Sequence, residues 1–583
     1  MLQLILQSIK LVPGQFRGRL IFLQFILLLS ACLELLGVVS VGPFIALAMN
    51  PSHVHENQHL LVAYQWMGAE SEAQFLAWVG LLFGILFIGS NAVLLATQVY
   101  LVGTSNKLQA ELVSRIYRYF LRQNYLYHVR HRPGTLISKI NSDTSRLCNG
   151  LILAILQINA RLFSIIILIA LLFVVNWVAA LSIGGAVVGA YGLVYFMSNH
   201  RLKTNGLERT VNDRARSRLL QETFEGIKTL QSYELESGFS ERLNETSKER
   251  VRINISDKLL KDLPYFAIES VAFSMIVVMT LFVFTESGRS EAAIAQLAII
   301  CLAGYRLIPK FQQVYRSIAS IKTNQHALKQ LYKDLSKEDP EPAQLTAKGS
   351  LGPDVEGEFK LAELGFTYEG SQVVFQGVNF HISPGEFVGI TGASGAGKST
   401  LMALMSGLLE PESGQLSYGG VTIGRDNKRV WKKMVGYVDA DVYLFEGTLK
   451  SNILLGRDMD GELLEELLQA TCLDQVVSGV AGGLEGDLGS KGGRLSSGQR
   501  QRVGFARALY GNPRVLLLDE ATNALDFQTQ QEILSNIRKK WPHLSVVVIS
   551  HRVDMLDNLD RFYCLKDGCL IEAGGDGRVE GEA

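Results

Sequence analysis

Cysteine is scarce in this chain, with six in 583 residues. Cys32, Cys148, Cys301, Cys472, Cys564 and Cys569 form no pair at metal-site spacing, so a zinc-stapled module is excluded and packing roles are expected for all six. A surplus of charge is missing too: 56 Lys and Arg balance 56 Asp and Glu, which argues against nucleic acid as the partner. From Pro51 to Gln74 there is no Lys or Arg at all. What the chain has instead is apolar residue, giving a mean hydropathy of +0.18, and it is concentrated in the first half. That half reads as membrane.

A helix needs about 20 mostly apolar residues to cross a hydrocarbon core. Six stretches fit such a role: Leu20 to Met49, Phe75 to Val102, Leu162 to Val175, Val178 to Met197, Leu263 to Thr285 and Ala292 to Ile308. The third and fourth meet at Asn176 and Trp177, which demands a very short outer turn. Orientation follows from the basic residues. Lys107, Arg115, Arg118, Arg122, Arg130, Arg132 and Lys139 lie between the second and third spans, and Arg201, Lys203, Arg209, Arg214, Arg216 and Arg218 between the fourth and fifth. Those segments are expected inside, as are both chain ends. Apolar residues recur in them at helical spacing (Leu112, Ile116, Tyr119, Phe120), so the membrane helices are expected to continue into the cytosol. Leu60 to Met67, with Tyr64 and Trp66, reads as an outer interfacial helix.

After Leu335 the run Lys337 Glu338 Asp339 Pro340 Glu341 Pro342 is charged and punctuated by proline, as a linker would be. The expected organisation is therefore a membrane domain over 1–335, a linker over 336–356 and an α/β domain with a largely parallel sheet over 357–583. The strand Phe387 to Ile390 feeds Gly392 Ala393 Ser394 Gly395 Ala396 Gly397 Lys398 Ser399 Thr400, the P-loop pattern, in which backbone N–H groups wrap phosphate oxygens. Lys398 puts a cation against the β and γ phosphates, and Ser399 offers a hydroxyl to Mg²⁺. Further on come a polar turn, Leu495 Ser496 Ser497 Gly498 Gln499, and the apolar strand Val515 to Leu518 ending in Asp519 and Glu520.

With six spans, cradle, LSSGQ turn and acidic strand end together, the chain resembles an ABC exporter half-transporter over nearly its whole length. The resemblance implies a multidomain fold: an all-α six-helix transmembrane domain (type IV exporter fold) followed by an α/β P-loop NTPase. It implies an ATP hydrolase working as a translocase in the bacterial inner membrane, with the nucleotide domain cytoplasmic. ATP and Mg²⁺ are its expected ligands. The expected partner is a second half-transporter subunit, a homodimer by preference, with two nucleotides sandwiched head to tail between one subunit's cradle and the other's Ser496–Gln499 turn. By the same resemblance Asp519 holds the metal's water shell, Glu520 polarises the attacking water, His551 contacts the γ-phosphate, Tyr368 stacks under adenine, and Asn523 to Asp526 form the turn that senses the opposite site. Gly134 to Ile140 and Gln221 to Ile227 look like the coupling segments.

The chain departs from that pattern at three places. Ala440 stands where relatives carry a Gln, Ser497 where they carry Gly, and Ser490 where an acidic residue is expected. Retained Glu520 and His551 point to surviving hydrolysis; one half of a heterodimer with a degenerate site is the rival account. In the membrane half Glu34, Arg161, Glu269 and Arg306 are ionisable, and such groups are costly in lipid. Arg161 and Glu269 are expected to snorkel or pair, and Arg306 either to serve helix packing or to face a cavity as a cation for an anionic headgroup. Glu34, Pro43 to Ile45 and Tyr305 to Pro309 also resemble the lipid-linked oligosaccharide flippases, although Tyr265 follows Pro264 where that group has an arginine. An amphiphile, such as a lipid-linked saccharide, is the expected cargo. The alternatives are a peptide or another lipid, or no cargo at all in an ATP-gated regulator; nothing like a leader protease precedes the first span.

Overall fold

The computed structural model describes residues 11–49, 54, 58–287, 291–335, 351–352, 355–368, 373–549 and 559–573. The chain divides into two compact units, Met1–Gln123 with His128–Pro340, and Asn124–Tyr127 with Glu341–Ala583. Most of the expected linker lies outside the described residues.

The first unit is helical. Its long elements are α1 (Arg17–Val39), α2 (Val41–Met49), α3 (Gln58–Met67), α4 (Glu72–Leu121), α5 (Leu153–Val175), α6 (Trp177–Glu225), α7 (Glu236–Ser287) and α8 (Glu291–Leu335). Ser71 caps α4, its hydroxyl accepting from the Gln74 amide. Only Asn176, extended at φ −159°, separates α5 from α6. Among the described residues, four helical segments are long and apolar enough to cross a membrane by length and composition, beginning at Gly14, Glu72, Pro133 and Ala180. Large apolar side chains point outward along them: Ile21, Ile88, Val174 and Phe196 are 72%, 70%, 86% and 84% exposed. In water such a surface would aggregate, whereas against hydrocarbon it costs nothing. In α3, Tyr64 packs edge-on to Phe75 with ring centres 5.3 Å apart, while Trp66 points out.

Beyond the apolar stretches the long helices continue and pack on one another through polar contacts. Buried Arg146 donates to Asn324, Thr210 and the Gly206 carbonyl at 3.2, 2.8 and 3.3 Å. Gly206 lies so close to the Thr323 backbone that a Cβ would collide with it, so the crossing of α6 and α8 requires glycine there. Gly134 and Gln221, from the two stretches expected to carry force, lie against each other, and Arg132 pairs with Glu222 at 3.4 Å. Asn124–Tyr127, which precede the first of those stretches, group with the second unit.

The second unit carries two sheets. An antiparallel one is built from β1 (Phe359–Thr367), β2 (Val373–Ile382), β4 (Ser413–Tyr418) and β5 (Val421–Ile423) in the order β2-β1-β4-β5. The larger, mostly parallel one has β3 (Phe387–Gly392), β6 (Val435–Val438), β7 (Val515–Asp519), β8 (Ser545–Ile549), β9 (Arg561–Lys566) and β10 (Cys569–Ala573) in the order β10-β9-β3-β8-β7-β6. Both faces of the larger sheet are buried, so its central strands read as unbroken apolar runs rather than alternating ones. Alternation survives in which core each residue joins. Leu516, Leu518, Val546 and Val548 pack into one cluster, and Val515, Leu517, Val547 and Ile549 into the other. The second cluster also holds α9 (Lys398–Met405). The first holds α10 (Ser497–Leu509) and α11 (Phe527–Lys540).

Candidate functional site

The cradle joins β3 to α9. Gly397 caps α9 at φ +100°, a conformation open chiefly to glycine, and a Cβ there would meet Val374 at 2.9 Å. The Lys398 ammonium donates to the Gly392 and Ala393 carbonyls, 2.9 Å each, which holds the cation at the cradle's own loop. Gly395 takes φ +82°, Ser394 is exposed, and the Ala396 amide turns back to the Ala393 carbonyl at 3.2 Å. Tyr368, at the end of β1, bonds Thr400 through its hydroxyl at 3.2 Å and meets Phe366 edge-on. Its ring is therefore anchored beside the cradle.

Asp519 follows Leu517 by two residues and so points to the α9 side of the sheet. There Oδ1 accepts from the Ser399 hydroxyl at 3.2 Å and Oδ2 from the Tyr437 hydroxyl at 3.1 Å. Burial pushes the Asp519 carboxyl above the usual range. The bonds from Ser399 and Tyr437 pull it down, and the nearby Asp439 and Glu520 push it up. Burial, reinforced by Asp519, likewise raises the Tyr437 phenol, which keeps it a donor at neutral pH. Glu520 leaves the strand at φ +51° and accepts from the Asn523 amide at 3.1 Å. A non-glycine residue in that region is strained, as residues held for chemistry often are. His551 lies outside the described residues.

The donor set suits a hard divalent cation such as Mg²⁺: one hydroxyl and one carboxylate, with phosphate oxygens and water to complete the sphere. No group of three His, Cys, Asp or Glu side chains able to hold a metal occurs among the described residues. A cation here would need the nucleotide.

The Ser496–Gln499 turn is a reciprocal cap on α10. The Ser496 hydroxyl accepts from the Gln499 amide at 3.2 Å, and the Gln499 side chain accepts from the Ser496 amide at 2.8 Å. Gly498 is buried, and a Cβ on it would stand 2.8 Å from the Ala524 carbonyl. Ser497 is exposed beside it. Asp526 caps α11 by accepting from the Thr529 amide at 2.9 Å, which holds its carboxyl below the usual range. Among the described residues no hydrogen bond joins this turn to the cradle. Two residues that sequence reasoning passed over connect the parts. One is Tyr437. The other is Gln501, which donates to the Ala440 carbonyl and accepts from the Ala524 amide, 3.2 Å each. Strand parity was the available signal for Tyr437; none pointed to Gln501.

The first unit holds a cavity of about 380 Å³ whose lining includes Glu34, Arg161, Glu269, Tyr305, Arg306 and Lys310. Arg306 lines this cavity and is also packed between helices. Its guanidinium donates to Glu34 at 3.1 Å and lies 4.6 Å from the Phe87 ring centre, so it is an occupied cation. Glu34 is also held by Lys310 at 2.7 Å and by the Ser164 hydroxyl. Arg161, expected to snorkel or pair, lines the same cavity with no hydrogen bond or ion pair among the described residues. Glu269 accepts from Tyr265 at 3.1 Å.

The ABC transporter transmembrane region model matches residues 20–307, and the ABC transporter model matches 375–523. An ATP-dependent lipid A-core flippase of Paraburkholderia xenovorans is 23% identical over 478 residues, covering 81% of this chain and 79% of its own. An uncharacterized ABC transporter ATP-binding protein of Sinorhizobium fredii is 25% identical over 509 residues, 85% and 84% of the two chains. A putative export ATP-binding/permease protein of Rickettsia bellii is 36% identical over 218 residues, 37% and 38% of the two. In fold, the chain matches a bacterial Atm1-family ABC exporter with ATP bound at a TM-score of 0.80 and 19% identity, over 95% and 94% of the two chains.

Proposed function

The chain belongs to the ABC transporters, as an exporter half-transporter with one transmembrane region followed by one ATP-binding domain, and from that premise we propose that its cargo is an amphiphile with an anionic head. It is an integral membrane protein that couples ATP hydrolysis to export or flipping. Half-transporters of this family act as dimers, and we favour two copies of this chain.

The roles follow from the chemistry of each group. Lys398 and the amides of Gly392 to Thr400 bind the phosphates, and Tyr368 offers its ring face to adenine. Ser399 and Asp519 would hold Mg²⁺, which would neutralise charge on the phosphates. Glu520 takes the proton of the attacking water, oriented by Asn523. Ser496, Ser497, Gly498 and Gln499 face the partner's nucleotide, and Asp526 keeps the preceding turn in place. His551 is assigned to the γ-phosphate by its place in the sequence alone. ATP that binds the closed dimer more tightly than the open one drives the membrane unit from one state to the other.

One observation carries the choice of cargo: among the described residues Arg161 has no hydrogen bond or ion pair, in a membrane cavity where Glu34 is already held by Arg306 and Lys310 and Glu269 accepts from Tyr265. An unpaired charge in such a setting is costly unless an anion meets it. A phosphate-bearing lipid head fits, in keeping with relatives named as lipid A-core flippases. Purified protein in liposomes with a fluorescent phospholipid glycan should move the label between leaflets only with ATP. Stimulation by peptides alone would replace this reading with peptide export, and a heteromeric assembly seen by mass would replace the homodimer.

A further inference from the structure

Ala440 carries no polar side chain, and its carbonyl is engaged by Gln501. The edge strand β6 nevertheless reaches the site, through Tyr437. In the parallel pairing of β6 with β7, Tyr437 sits opposite Leu517 and Val438 opposite Leu518. Leu517 belongs to the core on the α9 side, and partly buried Tyr437 packs against that same core. Parity thus places Tyr437 and Asp519 on one face, and the phenol spans the remaining gap to Oδ2 at 3.1 Å.

We propose that Tyr437 is a positioning residue for the metal-holding carboxylate, fixing Asp519 by the oxygen that Ser399 leaves open. Asp519 is 4% exposed, and its two oxygens are held from opposite sides by neutral hydroxyls. Neutral donors set the carboxylate's rotation without cancelling its charge, so the charge remains available to a cation. An Arg or Lys in place of Tyr437 would have satisfied the same oxygen and neutralised it. Removing the hydroxyl frees the carboxylate to turn about its last torsion, which is broad. The loss should fall on cation binding and spare cation-free nucleotide binding, because the cradle amides and Lys398 do not depend on Tyr437. This inference rests on the ATPase reading above.

The test is Tyr437→Phe in the full-length protein, which keeps the ring and removes only the hydroxyl. ATP affinity in EDTA should stay within about twofold of the parent. Mn²⁺ affinity of the ATP complex, read by electron paramagnetic resonance, should weaken by about 10–100-fold, the loss of one hydrogen bond to a charged group. The Mg²⁺ concentration for half-maximal ATPase should rise in step. Unchanged Mn²⁺ affinity overturns the proposal. So does a parallel loss of ATP binding in EDTA, which would make the phenol a packing group of the cradle. Absence of cation-dependent ATP binding in the parent would instead remove the ATPase reading itself.

Discussion

Asp519 in the nucleotide unit and Glu34 in the membrane unit are both buried carboxylates, 4% and 2% exposed, yet they are held in opposite ways. Asp519 is gripped by two hydroxyls, from Ser399 and Tyr437. Glu34 is gripped by two cations, Arg306 and Lys310, with the Ser164 hydroxyl as a third donor. Hydroxyls orient a charge and leave it in place, whereas ammonium and guanidinium groups cancel it. The first arrangement is poised to take a metal ion. The second closes a circuit within the protein, while Arg161, its neighbour in the cavity, has no hydrogen bond or ion pair among the described residues.

The sharpest way to break this contrast is to neutralise each carboxylate in turn. Asp519→Asn should lower ATP hydrolysis by about 10²–10³-fold with little loss of thermal stability, since the amide oxygen can still accept from one hydroxyl neighbour while its NH2 donates to the oxygen of the other. Phosphate release and a melting curve on the same sample decide it. Near-parental turnover would remove Asp519 from the metal site. Glu34→Gln should do the reverse, leaving Arg306 and Lys310 buried with no counter-charge at a cost of about 3–5 kcal/mol. A lowered melting temperature in detergent is the expected result, and an unchanged one would mean that the two cations find other partners.

Arg161→Gln sharpens the comparison at the cavity. Because Arg161 makes no ion pair among the described residues, its loss should leave the melting temperature nearly unchanged. It should lower cargo-stimulated ATPase about tenfold more than cargo-free ATPase, a difference of about 1.4 kcal/mol in cargo binding. An equal fall in both activities would make Arg161 structural. Arg306→Ala should combine a cargo effect with a stability loss, because it also strips Glu34 of a partner.

The smallest effect expected is on pH. Burial raises the Asp519 carboxyl above its unfolded value near 3.9, so the metal-free fold binds a proton there more readily than the unfolded chain. The sign is that metal-free stability from this group falls as pH rises from about 4 through the raised folded value. In EDTA, the melting temperatures of the parent and Asp519→Asn should therefore converge as pH is lowered from neutral toward that range. A gap that widens on acidification would contradict the raised value.

Much of the nucleotide unit was legible because its signals are short-range. The spacing from Gly392 to Ser399, the polar turn Leu495 to Gln499 and the apolar run ending at Asp519 each lie within a dozen residues. Tyr437 was passed over although its alternation with Gly436 and Val438 carried the cue, since only the pairing of β6 with β7 shows that its face is that of Asp519. In the membrane unit the apolar stretches were legible by length. The fate of each charge was not. Snorkelling or pairing was expected for Arg161, and helix packing or a cavity role for Arg306; the packing of the helices puts both at the cavity and pairs Arg306 with Glu34.

By itself the sequence determined the two-part organisation, the phosphate cradle and the acidic strand end, because each depends on backbone hydrogen bonding and periodicity within a single segment. Only the tertiary structure decided which charges meet, for Glu34 lies 272 and 276 residues before the cations that neutralise it. A Coulomb interaction in a low-dielectric interior is settled by separations of a few ångströms. Those separations depend on which faces of distant helices and strands come together.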